Sequence, residues 1–167
     1  MRTVASLTLA CCCVLAAFIA TPITGTAAAA PSLDGKERAI VRAINRKRSK
    51  NGLAKVRSSA RLARAADFHS WEMLDANYFA HESRDGGSFD RRVRRFADRR
   101  AVGETLAMLG SCRGKSAGKV VRMWMSSPPH RAILLSSSYR RVGIGKRTGS
   151  LGGNRACLVT ADFASKR

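Results

Sequence analysis

The feature that most constrains this chain is its first thirty residues. Met1-Arg2 leads into an almost unbroken apolar run from Val4 to Ile23, and the small residues Thr26-Ala27-Ala28-Ala29-Ala30 stand ahead of Pro31. A basic start, an apolar centre and an Ala-x-Ala exit follow one another as in an export leader. Pro31 is a poor residue immediately after a cut, so cleavage is expected after Ala28 or Ala29, with residues 1–29 set aside as the leader. What remains has the length of one domain. An uncleaved anchor would need about 20 apolar residues, which the run nearly reaches. Nothing later in the chain is long or apolar enough to span a bilayer, so cleavage leaves no transmembrane segment. Lipid modification is disfavoured because Cys11, Cys12 and Cys13 lie inside the apolar centre instead of after it.

Export changes the meaning of the cysteines and of the charge. Three of the five cysteines leave with the leader, and Cys112 and Cys157 remain as a pair in an oxidising compartment, where a disulfide is expected. Closing that loop stabilises a small domain by about 4 kcal/mol on the chain-entropy argument. The chain carries 31 Lys and Arg against 11 Asp and Glu, a formal charge of +20, and Arg2 is the only charged residue of the leader. Such a field attracts polyanions. In a secreted, extracytoplasmic protein the expected partner is a cell-envelope, lipid or other extracellular anionic ligand instead of nucleic acid. The cluster Arg91, Arg92, Arg94 and Arg95 is the candidate anion-binding surface.

Periodicity organises the remainder. Ile40, Val41 and Ile44 recur at helical spacing between Asp34 and Lys50, with Asn51-Gly52 as the stop. Leu62, Ala66, His69 and Met73 mark one face of a second helix from Ser59 to about Ala76, which turns His69 inward as a hydrogen-bonded core residue. Asp85-Gly86-Gly87-Ser88 is a loop; Ser88 then caps a short helix with Phe89, Val93 and Phe96 inside and the arginines outside. Ser116 can cap a helix carrying Val120, Val121 and Trp124, which ends before Pro128-Pro129. Trp124 and Trp71 are read as packing residues, Trp71 only partly buried. Val142 to Gly145 and Ala156 to Phe163 read as adjacent antiparallel strands around a Gly-rich turn at Gly149 to Gly153. In the second strand Cys157, Val159, Ala161 and Phe163 take one face, and Leu158, Thr160 and Asp162 the other. Helices ahead of a small sheet indicate a layered α/β sandwich.

Five stretches then converge on one family: Ala65 to Met73, Tyr78-Phe79-Ala80-His81, Gly103-Glu104-Thr105-Leu106, Trp124-Met125-Ser126-Ser127-Pro128-Pro129-His130-Arg131, and Val142-Gly143-Ile144-Gly145. In order and spacing the sequence resembles bacterial members of the cysteine-rich secretory, antigen 5 and pathogenesis-related-1 (CAP) superfamily, over Glu37 to Phe163. The resemblance implies one domain over residues 37–164. It also implies a three-layer α-β-α sandwich with a small, largely antiparallel sheet and a surface cleft. His81, Glu104 and His130 carry over to that cleft, where relatives can bind divalent metal. Two departures stand out: Thr105 follows Gly103-Glu104 where asparagine is common, and Ser127 replaces the second cleft glutamate of the animal and plant branch, as in the bacterial branch.

Two imidazoles and a carboxylate could hold Zn²⁺ and leave a position for water, whose pKa the metal would lower. Glu104 could instead orient one histidine from behind, leaving two protein ligands and weak metal binding. Three functions follow as expectations: an interaction or small-ligand module with a metal-capable cleft, a metal-dependent hydrolase of peptide or cell-envelope material, and a basic polyanion binder. A serine hydrolase is excluded by the lack of a G-x-S-x-G elbow, and Cys112 is assigned to the disulfide.

Overall fold

The computed structural model describes residues 34–97, 100–113 and 116–166; the leader lies outside them. In chain order the elements are α1 (Gly35–Lys50), β1 (Arg57–Ser58), α2 (Ala60–Asp75), α3 (Phe89–Phe96), β2 (Val102–Leu109), α4 (Ser116–Ser126), α5 (Pro128–Leu134), β3 (Tyr139–Leu151) and β4 (Asn154–Ser165). The sheet order is β1-β3-β4-β2. β4 pairs antiparallel with both β3 and β2, and the two-residue β1 pairs parallel with β3. Helices cover both faces, giving the expected α-β-α sandwich.

α1 and α2 start where the sequence provides a side-chain cap. Asp34 accepts from the Glu37 amide and the Glu37 carboxylate accepts from the Asp34 amide, a reciprocal capping box. Ser59 caps α2. Ser88, expected to cap α3, stands at its N-cap but donates its hydroxyl to Asp90, and Ser116 is the first residue of α4 with its hydroxyl bonded to the Cys112 carbonyl. The Pro128-Pro129 pair, before which the preceding helix is expected to end, opens the next one. Ser127 is the N-cap of α5 and the prolines occupy its first turn, where a missing N–H costs no intrahelical bond.

The alternation of β4 divides the core. Cys157, Val159, Ala161 and Phe163 pack with Ile40, Ile44, Val121 and Trp124 beneath α1 and α4. On the other face Leu158 joins Met73 and Leu106, and Ala164 joins Leu62 and Val93, beneath α2 and α3. Burying a side chain of this size stabilises by roughly 1.5–3 kcal/mol. Trp124 also donates its indole N–H to the Leu106 carbonyl at 2.8 Å. Trp71 is 46% exposed and lies against Phe68 at the surface, so it is not a core residue.

Arg48 fastens the loops. Fully buried near the end of α1, it donates to the carbonyls of Ala54, Leu134, Ser136 and Tyr139. Cys112 and Cys157 are disulfide-bonded, tying the segment after β2 to the start of β4.

Candidate functional site

β2 is an edge strand of the sheet, and the three residues read from the sequence as a site meet beside it. His81 arrives from the loop between α2 and α3, His130 from the first turn of α5, and Glu104 from β2 between them. The imidazole centroids of His81 and His130 are 6.0 Å apart, and Phe89 flanks His81 edge-on at 6.4 Å. His81 is 43% exposed at its side chain, whereas Glu104 is closed off from solvent.

Glu104 is held from two directions. His81 Nδ1 donates to its Oε1 at 2.9 Å, and buried Arg92 donates to its Oε2. With both carboxylate oxygens engaged, Glu104 stands behind His81 and fixes its tautomer, so the lone pair of the neutral ring lies on Nε2, the side away from Glu104. Of the two roles open to Glu104 from sequence, this geometry is the supporting one. Among the described residues, no group of three or more His, Cys, Asp or Glu is arranged to hold a metal ion.

The backbone at His81 is equally constrained. His69, fully buried on α2, donates from Nε2 to the Ala80 carbonyl at 2.9 Å and meets Glu72 Oε2 through Nδ1 at 3.1 Å. Tyr78 donates to the same Glu72 oxygen at 2.7 Å. Arg92 donates to the His81 carbonyl at 3.2 Å and the Ser83 hydroxyl at 2.8 Å. The inward position read for His69 therefore has a purpose in the fold, since it anchors the strip of chain that presents His81.

Electrostatics separate the two cleft histidines. The hydrogen bond to Glu104 raises His81 above the ordinary imidazole value, whereas burial and then the charge of His81 lower His130. Burial likewise lowers His69, against the nearby Glu104 charge. Asp162 lies directly across from Glu104 in the β2–β4 register and is fully buried. Among the described residues neither of its oxygens has a hydrogen-bond partner. Burial, then the Glu104 charge, drives its carboxyl well above the usual range.

The arginine cluster needs a correction. Arg92 belongs to no anion-binding surface: it is 1% exposed and ion-paired to Glu104. The other three remain on the outer side of α3 with acidic neighbours, Arg91 and Arg95 with Asp85, and Arg94 with Asp90. Sequence periodicity already carries the signal for Arg92, which falls three after Phe89 and four before Phe96, on the inner stripe of α3. The alternation of β4 puts Asp162 on the Thr160 face, but its pairing with Glu104 depends on a strand register that sequence alone does not supply.

A profile of the cysteine-rich secretory protein family (CAP) matches residues 41–163. The uncharacterized protein YkwD of Bacillus subtilis is 33% identical over 124 residues, covering 73% of this chain and 47% of that one. The chain thus spans about half the length of this curated relative. Among solved structures, an extracellular protein containing a SCP domain from Bacillus anthracis superposes with a TM-score of 0.64 at 27% identity, over 79% of this chain and 41% of its own. An outer surface protein from Borrelia burgdorferi gives a TM-score of 0.66 at 17% identity over 82% of this chain and 97% of its own, a likeness of fold. Among the described residues no helix is long and apolar enough to cross a membrane.

Proposed function

The chain belongs to the cysteine-rich secretory protein (CAP) family, and from that premise we propose that it is an exported binding module whose cleft offers His81 and His130 to a ligand or a divalent ion. In this reading residues 1–29 are the leader, residues 37–164 form the working domain, and the protein acts outside the cytoplasm, as its extracellular relative does. The observation that carries the cleft assignment is the orientation of His81: buried Glu104, itself held by Arg92, accepts the hydrogen bond from Nδ1–H and leaves Nε2 directed away from Glu104 beside His130.

The donor set fits a two-imidazole site. His81 and His130 would hold the ion, with zinc favoured by neutral imidazole nitrogen, and the remaining coordination would come from ligand or solvent. A bound ion there would supply a Lewis-acidic anchor for an anionic or carbonyl oxygen. Glu104 orients His81, Phe89 closes one side of it, and, against burial, the hydrogen bond from His81 and then the charge of Arg92 lower the pKa of the Glu104 carboxyl. A hydrolase using Glu104 as general base finds less support, because that carboxylate is buried and both its oxygens are engaged. Calorimetric zinc titration of the folded domain beside a folded His81→Ala, His130→Ala variant tests the assignment. Loss of one metal equivalent is expected in the variant, and equal stoichiometry and affinity in the two proteins would refute it.

A further inference from the structure

A second concentration of cations without acidic partners lies on the outer side of α1. Arg42, Arg46 and Lys50 follow one another at four-residue intervals, about 6 Å apart along the axis. With Asn45, Ser49 and Lys55 they line a depression of about 490 Å³. Arg46, Lys47 and Lys50 also line an adjoining depression of about 240 Å³, with Arg122 of α4 on its other side. No acidic residue lines either one. Among the described residues the side chains of these six cations make no hydrogen bond or ion pair.

Fold stability does not account for the arrangement. Lys47 and Lys50 in the last turn complement the helix dipole. Arg42 and Arg46 precede that turn, and like charges four residues apart weaken a helix by a few tenths of a kcal/mol each. Elsewhere on the surface some cations are paired with acids, Lys146 with Asp34, Arg147 with Asp67 and Arg91 with Asp85, but among the described residues none of these six is. The rims are also fixed in place. Asn45 bonds both backbone groups of Val56, at 3.0 and 2.9 Å, holding the Lys55 segment against α1.

We propose that this α1–α4 face is a binding site for a linear phosphodiester polymer lying along α1, with successive phosphates met by Arg42, Arg46 and Lys50 and the flanks by Lys55, Lys47 and Arg122. A row of cations in a groove, spaced on the scale of one repeat of such a chain, suits an extended polymer. A bilayer surface is a poorer match, because none of the residues lining the two depressions is an exposed large apolar side chain that could insert. Neither depression includes His81 or His130, so the site is independent of the cleft.

The test is fluorescence-anisotropy binding of the domain to two probes, a labelled oligodeoxythymidylate and a labelled glycerol-phosphate oligomer, across a salt series. Tighter binding of one oligomer identifies the source of the phosphodiester. Expected for Arg42→Gln, Arg46→Gln is at least tenfold weaker binding at low salt, with the salt slope reduced by about 0.7 for each cation removed. Lys50→Gln, Lys55→Gln is expected to behave similarly. The control Arg91→Gln, Arg95→Gln makes the same charge change on α3 and is expected to bind within about twofold of the parent protein. Far-ultraviolet circular dichroism checks each variant, and these exposed positions leave either pair able to carry the test alone. Equal losses in all three variants would reduce the effect to net charge and overturn the proposal. So would binding to phosphatidylglycerol vesicles but to neither oligomer, or no binding to either oligomer at low salt.

Discussion

Asp162 bears a carboxyl in a place that cannot accommodate a second negative charge. It faces Glu104 across the sheet, and Glu104 is the residue whose charge is stabilised by Arg92. Two ionised carboxylates there would leave one buried charge uncompensated, a penalty of several kcal/mol, so the proton stays on Asp162. The sign of the pH effect follows. The folded-state pKa of Asp162 lies above its ordinary value of 3.8, so as pH rises past that value the unfolded chain sheds the proton and the folded chain does not. The stability contribution of Asp162 is present below that value and erodes as pH rises toward the folded-state pKa. Asp162→Asn keeps the shape without the titration. In urea melts it should match the parent near pH 4 and be the more stable protein at pH 7, and a gap constant with pH would count against a neutral Asp162. At this scale much of the site is legible in the sequence: His81, Glu104 and His130 stand in recognisable motifs, and the inner position of Arg92 can be read from the spacing of Phe89 and Phe96. The role of Glu104 is not, because a carboxylate's partners depend on the packing of α3 against β2.

The contact of α2 with the sheet depends on two glycines. A Cβ placed on Gly143 would fall on the backbone of Leu62 and Ala63, and one on Gly145 on the backbone of Ala66 and Asp67. β3 therefore offers α2 a bare strip, and the small Ala63 and Ala66 let the helix lie directly on it. His69 and Met73 then reach their places one and two turns further on. This explains the Val142-Gly143-Ile144-Gly145 pattern: Val142 and Ile144 fill the α1 side, and the glycines receive α2. Because the obstruction is main chain, it cannot be relieved by a rotamer change. Gly145→Ala is expected to destabilise the domain by about 1–3 kcal/mol or shift α2, measured as a lower urea midpoint with loss of the His69–Ala80 hydrogen bond. An unchanged midpoint would refute the close contact. α1, α2, α3 and the paired strands near the C-terminus are readable from period and caps. β2 stands out only as a motif, because it is covered on both sides for most of its length and lacks the apolar-polar alternation of a half-exposed strand. α5 is hidden by its prolines, which stop one helix and start the next.

The whole domain is small, and its two ends of the sheet have different duties. Glu104 lies near the start of β2 and bonds His81; Leu109, at its end, pairs with Cys157, whose disulfide reaches Cys112 just beyond β2. Five residues of strand separate Glu104 from Leu109, about 17 Å, so the covalent link and the cleft sit at opposite ends. The bridge acts on the unfolded chain by holding together residues 45 apart in sequence, worth about 4 kcal/mol on the chain-entropy argument. His81, by contrast, is positioned by His69, Glu104 and Arg92, whose hydrogen bonds converge on the Ala80–Ser83 strip that carries it. Stability and cleft geometry should therefore separate. A Cys112→Ala, Cys157→Ala variant is expected to unfold roughly 10–20 °C lower than the parent, from about 4 kcal/mol spread over the unfolding entropy of a domain this size. Well below its midpoint, its His81 and His130 imidazole resonances should titrate as they do in the parent, with His81 taking its proton at higher pH than His130. A thermal midpoint unchanged by the substitutions would remove the disulfide from the stability of the domain. Altered histidine titration in the still-folded variant would mean that the two ends of the sheet are coupled, and that the cleft depends on more than the buried network that holds Glu104.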